Sequence, residues 1–137
     1  MSFRVIPREG LDVARFGESR GELRKRLGAC DSFRRSDTGP LTDHYVQLGL
    51  LLDFDASDRL ELIEVTPNAD ASVGEVSLFG RDYRQVIGDL SRLGIVGTED
   101  ASGIEFPKDC FALFNSAPDE EGSEVEGVTI FAPGYYD

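Results

Sequence analysis

Residues 53 to 64 read DFDASDRLELIE. Asp53, Asp55, Ser57 and Glu64 stand at positions 1, 3, 5 and 12 of this window, with Leu60 at position 8. That is the ligand spacing of an EF-hand calcium loop. Such a loop also needs a sharp turn at position 6, normally glycine, and a helix on each side. Here position 6 is Asp58, and the upstream VQLGLLLDF has β character. Downstream, Leu60-Glu61-Leu62 alternates, and Ile63 and Val65 add β-branched bulk. Asp55-Ala56-Ser57-Asp58 is good turn chemistry between two strands. The stretch reads as a β-hairpin, and no metal ligand is assigned.

The remaining reactive side chains are few. His44 is the only histidine, between Asp43 and Tyr45. A histidine beside a carboxylate suits general-base chemistry. Adjacent strand residues point to opposite faces, however, so Asp43 would not orient His44. His44 reads instead as a surface or interface residue. Cys30 and Cys110 lie far apart and read as reduced thiols, and one histidine with two distant cysteines does not make a zinc set. No nucleotide-binding glycine loop and no nucleophile-elbow motif is present. No catalytic residue and no cofactor is assigned. The open alternative is a small enzyme or ligand-binding protein that uses an unrecognised carboxylate pocket.

Two helices are predicted from their ends. Ser19-Arg20-Gly21-Glu22 is a capping-box pattern, Leu23 and Leu27 share a face, and Gly28 suits the left-handed stop. Arg24, Lys25 and Arg26 fall in the last turn, where the helix dipole favours cations. Asp82 with Gln85 repeats the pattern. Tyr83, Val86, Ile87, Leu90 and Leu93 then form an apolar stripe, and Gly94 closes the helix. Strands are predicted over 44–54, with Gly49 as a bulge, and over 60–66, 72–79, 104–106, 111–115 and 125–131. The acidic PDEEGSE at 118–124 reads as a hairpin loop.

The two halves share a plan, each with a capped helix ending in Leu-Gly, a weak extended segment and a better hairpin. The reading is a single α+β domain over 1–137 with an internal α-β-β-β duplication, its halves at about 11–68 and 72–132. An antiparallel sheet of six to eight strands is expected, with both helices on one face. The other face would be partly solvated, a ready surface for another protein.

Gly17-Glu18-Ser19-Arg20-Gly21-Glu22-Leu23-Arg24-Lys25-Arg26-Leu27-Gly28 resembles the G-x-S-x-x-E-[LV]-x-x-x-[LF]-G signature of BamE (SmpA-OmlA)-type domains. The tandem helix-plus-hairpin plan is similar to that of beta-lactamase-inhibitor-protein-like domains. Both resemblances imply a non-enzymatic binding module. BamE-type proteins are exported lipoproteins and the inhibitors carry a disulfide in each repeat; this sequence has no lipobox cysteine and one cysteine per half. The small acidic chain also resembles bacterial immunity proteins, which neutralise a toxin by covering it.

Charge is consistent with that expectation. The net charge is −12. It divides into +4 over residues 1–36 and −16 over the remainder. An acidic surface repels nucleic-acid phosphates and attracts a basic protein. The expected partner is a basic toxin or enzyme, with no nucleic acid and no membrane, and the chain itself a monomer or homodimer. The expected contact residues are His44, Tyr45, the loop carboxylates Asp119, Glu120, Glu121 and Glu124, and Tyr135 and Tyr136. MSFRVIPREG holds no apolar stretch of signal-peptide length, and the expected compartment is the cytoplasm.

Overall fold

The computed structural model describes residues 2–136. Thirteen strands and two helices follow in chain order. The first part runs β1 (Ser2–Ile6), β2 (Gly10–Leu11), β3 (Ala14–Arg15), α1 (Arg20–Leu27), β4 (Asp31–Arg34), β5 (Leu41–Tyr45), β6 (Leu50–Phe54) and β7 (Leu60–Val65). The second runs β8 (Asp70–Val73), β9 (Val76–Ser77), α2 (Tyr83–Arg92), β10 (Thr98–Asp100), β11 (Gly103–Phe106), β12 (Phe111–Phe114) and β13 (Gly127–Phe131). The first part opens on three small antiparallel strands and the second on a hairpin, and each goes on to a capped helix and a four-stranded meander. The predicted α-β-β-β unit is thus one strand short, and the repeated order starts earlier than residue 11.

The two meanders join into one eight-stranded antiparallel sheet, ordered β10-β11-β12-β13-β7-β6-β5-β4. The last strand of each meander lies at the centre, where β7 pairs with β13 through Val65↔Val128 and Ile63↔Ile130. A second sheet, β3-β2-β1-β8-β9, was not predicted. It is built from the segments that precede each helix, and β1 pairs with β8 in parallel. Most of its strands are short, and the β1–β8 pairing that joins its two local pieces brings together residues some seventy positions apart, which local periodicity could not reveal.

Alternation puts Leu50, Leu52, Ile63, Val65, Val128, Ile130, Leu113 and Phe111 on one face of the large sheet. They form one continuous core with Leu23 of α1, Tyr83, Val86 and Leu90 of α2, and Phe3, Val5, Ala71 and Val73 of the small sheet. The helices and the small sheet therefore cover a single face.

Both predicted N-caps are formed. Ser19 Oγ accepts from the Glu22 N–H at 3.3 Å, and Asp82 Oδ2 accepts from the Gln85 N–H at 3.3 Å. Gly28 and Gly94 hold φ of 93° and 82° after the helices. Gly49, predicted as a bulge, instead closes the tight β5–β6 turn at φ 74°. Nothing lies within 4 Å of where a Cβ on Gly88 would stand in α2. Gly88→Ala is therefore expected to raise stability by about 0.5–1 kcal/mol, measured by urea unfolding. Among the described residues no helix is long and apolar enough to cross a membrane.

Helix α1 is held differently from α2. Apart from Leu23 its buried residue is Arg20, 8% exposed. Arg20 Nη1 donates to Asp43 Oδ1 at 2.7 Å, its Nε to Asp58 Oδ1 at 2.8 Å, and its Nη2 to the Leu41 carbonyl at 2.8 Å. The guanidinium also lies 4.2 Å from the Phe54 ring centroid. Arg24 donates to both oxygens of Asp43, and Ser32 Oγ donates to Oδ1. Asp43 is fully buried. Burial alone would raise its pKa, but the bonds from Arg24 and Ser32 and the charges of Arg20 and Arg24 outweigh that and hold the carboxyl below its ordinary value. An ionic cluster therefore docks α1 where α2 uses an apolar stripe.

Candidate functional site

The opening hairpin is a hairpin in the fold: β6 and β7 pair antiparallel across it. Asp55 Oδ1 accepts from the N–H groups of Ser57 and Arg59, which closes the turn. Asp58 supplies the left-handed residue itself, at φ 62°. Of the side chains with calcium-loop spacing, Asp55 is spent on the turn itself, while Asp53 and Glu64 both pair with Arg35. Among the described residues no group of three or more His, Cys, Asp and Glu side chains is placed to hold a metal ion.

The same hairpin builds a broad surface. The face of the large sheet turned away from the helices carries one row that crosses all eight strands. Register gives it as Asp31, His44, Leu51, Glu64, Thr129, Ala112, Glu105 and Thr98. In the neighbouring row on the same face, two residues along each strand, Phe33 pairs with Thr42 and Asp53 with Leu62. Leu62, Cys110 and Phe131 form a small apolar cluster there, separate from the main core. In the row on the opposite side, Phe114 stands between Gly103 and Gly127 on the two neighbouring strands. With a glycine on each side, the Phe114 ring has no lateral cover and is 46% exposed.

Arg35, just past β4, reaches back over this face. Its Nε meets Asp53 Oδ2 at 3.0 Å and its Nη2 meets Glu64 Oε1 at 2.9 Å. The guanidinium lies 5.6 Å from the Phe33 ring centroid. Thr42 Oγ1 donates to Asp53 Oδ1 at 2.6 Å. The carboxylates Asp53 and Glu64 are bridged by this arginine.

The C-terminal aromatics fold onto the same face. Tyr136 packs edge-on against Phe131 and against Tyr135, with ring centroids 4.9 Å apart in both contacts. Burial and then the charges of Glu105 and Glu64 push the Tyr136 phenol up. Tyr135 is pushed up by burial and then by Glu61 and Asp53, and Glu61 by burial and then by Asp55 and Asp53. The field over this face is negative.

The eight predicted contact residues do not all gather there. His44, Tyr135 and Tyr136 lie on the open face. Tyr45 is only 1% exposed and points into the core, because the pleat that turns His44 outward turns both its neighbours inward. Tyr45 is therefore corrected to a core residue, and Asp43 does not orient His44, as expected. The loop with Asp119, Glu120, Glu121 and Glu124 is pinned to the start of α2. There the Tyr83 N–H donates to the Ser123 carbonyl at 2.8 Å, and Arg84 lies 3.9 Å from Asp119. Buried Asn115 fastens the loop base, donating to Ser123 Oγ and accepting from the Ala117 N–H. Phe33, Arg35, Glu64, Glu105 and Phe114 were not predicted as site residues. The alternation in Gly103-Ile104-Glu105-Phe106 and Phe111-Ala112-Leu113-Phe114 carried the signal for two of them.

A cleft of about 340 Å³ at the β4 edge is lined by Cys30, Asp31, His44 and Tyr45 among others. Asp31 pairs with His44, so the preceding Cys30 projects to the face opposite His44, and the ladder does not set these two as nucleophile and base. Comparison of the chain with protein-family models, with curated proteins and with solved structures finds no match.

Proposed function

We propose that the chain is a non-enzymatic protein-binding module whose open sheet face covers a basic partner protein, in the manner of an inhibitor or immunity-type protein. The observation that carries this reading is the face itself. It spans eight strands, no helix among the described residues covers it, and exposed Phe33, Phe114 and Tyr136 stand among carboxylates. Aromatic anchors supply most of the energy of a protein interface, while surrounding charges set approach and partner choice. The resemblance to BamE-type and beta-lactamase-inhibitor-like modules and the acidity of residues 37–137 support the same reading.

Affinity capture from the native host tests it. Wild-type chain is expected to retain one stoichiometric basic protein. Glu105→Lys is expected to weaken retention at least about tenfold, since like charges set face to face cost several kcal/mol. Lys25→Glu, on the outer side of α1, is expected to leave retention unchanged. A partner that ignores Glu105→Lys, or an acidic one, would refute the reading.

A further inference from the structure

The open face already shows how it takes a guanidinium. On the half built from the first meander, Arg35 lies over Phe33 and bridges two carboxylates. The half built from the second meander offers the same chemistry without a cation of its own. A cleft of about 460 Å³ runs between Phe114 and Tyr136, with Glu105, Thr129 and Ala112 on its floor and Asp100 at its rim. The floor is open because Gly103 and Gly127 flank Phe114. Asp100 is engaged by the Ser102 N–H and hydroxyl at 2.8 and 2.9 Å. The Glu105 carboxylate has no hydrogen bond or ion pair among the described residues, and its strand faces solvent at that position.

We infer that this cleft is an arginine-binding subsite, in which a guanidinium from the partner protein stacks on Phe114 and Tyr136 and pairs with Glu105. The inference rests on the reading of the open face as a binding surface and names the anchor that surface would grip. A planar, weakly hydrated guanidinium suits an aromatic wall with one carboxylate better than a compact ammonium does. Residues 93–114, which build this half, supply Lys108 as their only basic residue, and it is not among the residues that line the cleft.

The test is a titration of the full chain with N-acetyl-arginine amide at constant ionic strength, followed by amide NMR. Shifts are expected to centre on Gly103, Glu105, Ala112 and Phe114. The neutral citrulline analogue is expected to give none there, and the lysine analogue weaker ones. Phe114→Leu and Glu105→Gln should each weaken the arginine response about two- to fivefold. The wild-type shift map stands alone if a variant fails to fold. Shifts centred on residues 118–124, or spread over all carboxylates alike, would overturn the subsite. Cross-links from the open face to a basic partner, with the arginine probe ignoring the cleft, would overturn the subsite and leave the module reading intact. An arginine probe seated in the cleft with no protein bound on the face would do the reverse.

Discussion

Asp43→Ala is expected to cost about 3–5 kcal/mol of folding stability in urea unfolding, because it removes one partner of a buried ion pair. Arg20 would keep Asp58, the Leu41 carbonyl and the Phe54 ring, but would lose the one fully buried carboxylate it faces. Arg24 would lose both of its bonds to that group. A small domain has about 5–15 kcal/mol in total, so this single change should leave it marginal. The loss should fall on the docking of α1, because Leu23 is its only fully buried apolar side chain. The same cluster sets a pH dependence. The Asp43 carboxyl is held below its ordinary value in the folded chain, so the unfolded chain binds its proton first as pH falls. Its contribution is complete above the unfolded value of about 3.9 and is lost as pH drops below that towards the depressed value. Acid unfolding of wild type should therefore be steeper below pH ~4 than that of Asp43→Asn. Equal slopes would show that the cluster contributes little.

Gly103→Ala is expected to cost about 3 kcal/mol and to weaken the proposed binding at the open face. Gly103 has φ 142°, a conformation that L residues seldom adopt. A Cβ there would stand 2.0 Å from the Leu113 carbonyl oxygen and 3.2 Å from the Phe114 Cα, both backbone atoms. Neither can move without parting β11 from β12. The residue across the ladder is Phe114, so the displaced strand would carry the exposed ring with it. Calorimetry should show a lower melting temperature, in contrast to the rise expected for Gly88→Ala. A Gly103→Ala chain that melts like wild type would mean that β11 and β12 give way without cost.

What the sequence made legible was local. Ser19 and Asp82 mark helix starts, Gly28 and Gly94 mark stops, and alternation marks the central strands, because each of these depends on residues a few positions apart. The sequence predicts no strands at 2–6, 10–11 and 14–15, and only weak extended segments near 31–34 and 98–100. They are short, or are held by partners far along the chain, as Ser2 is by Asp70. Arg20, Arg24 and Asp43 look like surface charges in a sequence; only the packing of α1 on β5 brings them together inside. The sequence predicts a partly solvated sheet surface and marks His44, Tyr135 and Tyr136 as contact residues, but not Phe33, Arg35, Glu64, Glu105 or Phe114. Knowing that Glu105, Ala112, Thr129 and Glu64 lie side by side requires the register of four strands, which a single-residue slip would turn to the other face. Arg35 over Phe33 depends on a segment just past β4 that carries no periodic signal.

The central claim is that this face, and not the helices, meets a protein. Site-specific photo-cross-linking in the host tests it most directly, with a benzophenone side chain placed in turn at Leu51, Ala112 and Arg92. Leu51 and Ala112 lie in the row that crosses the face, and Arg92 is an exposed position on α2. The expected result is one adduct to the same basic protein from both Leu51 and Ala112, and none from Arg92. Adducts from Arg92 with both sheet positions silent would contradict it.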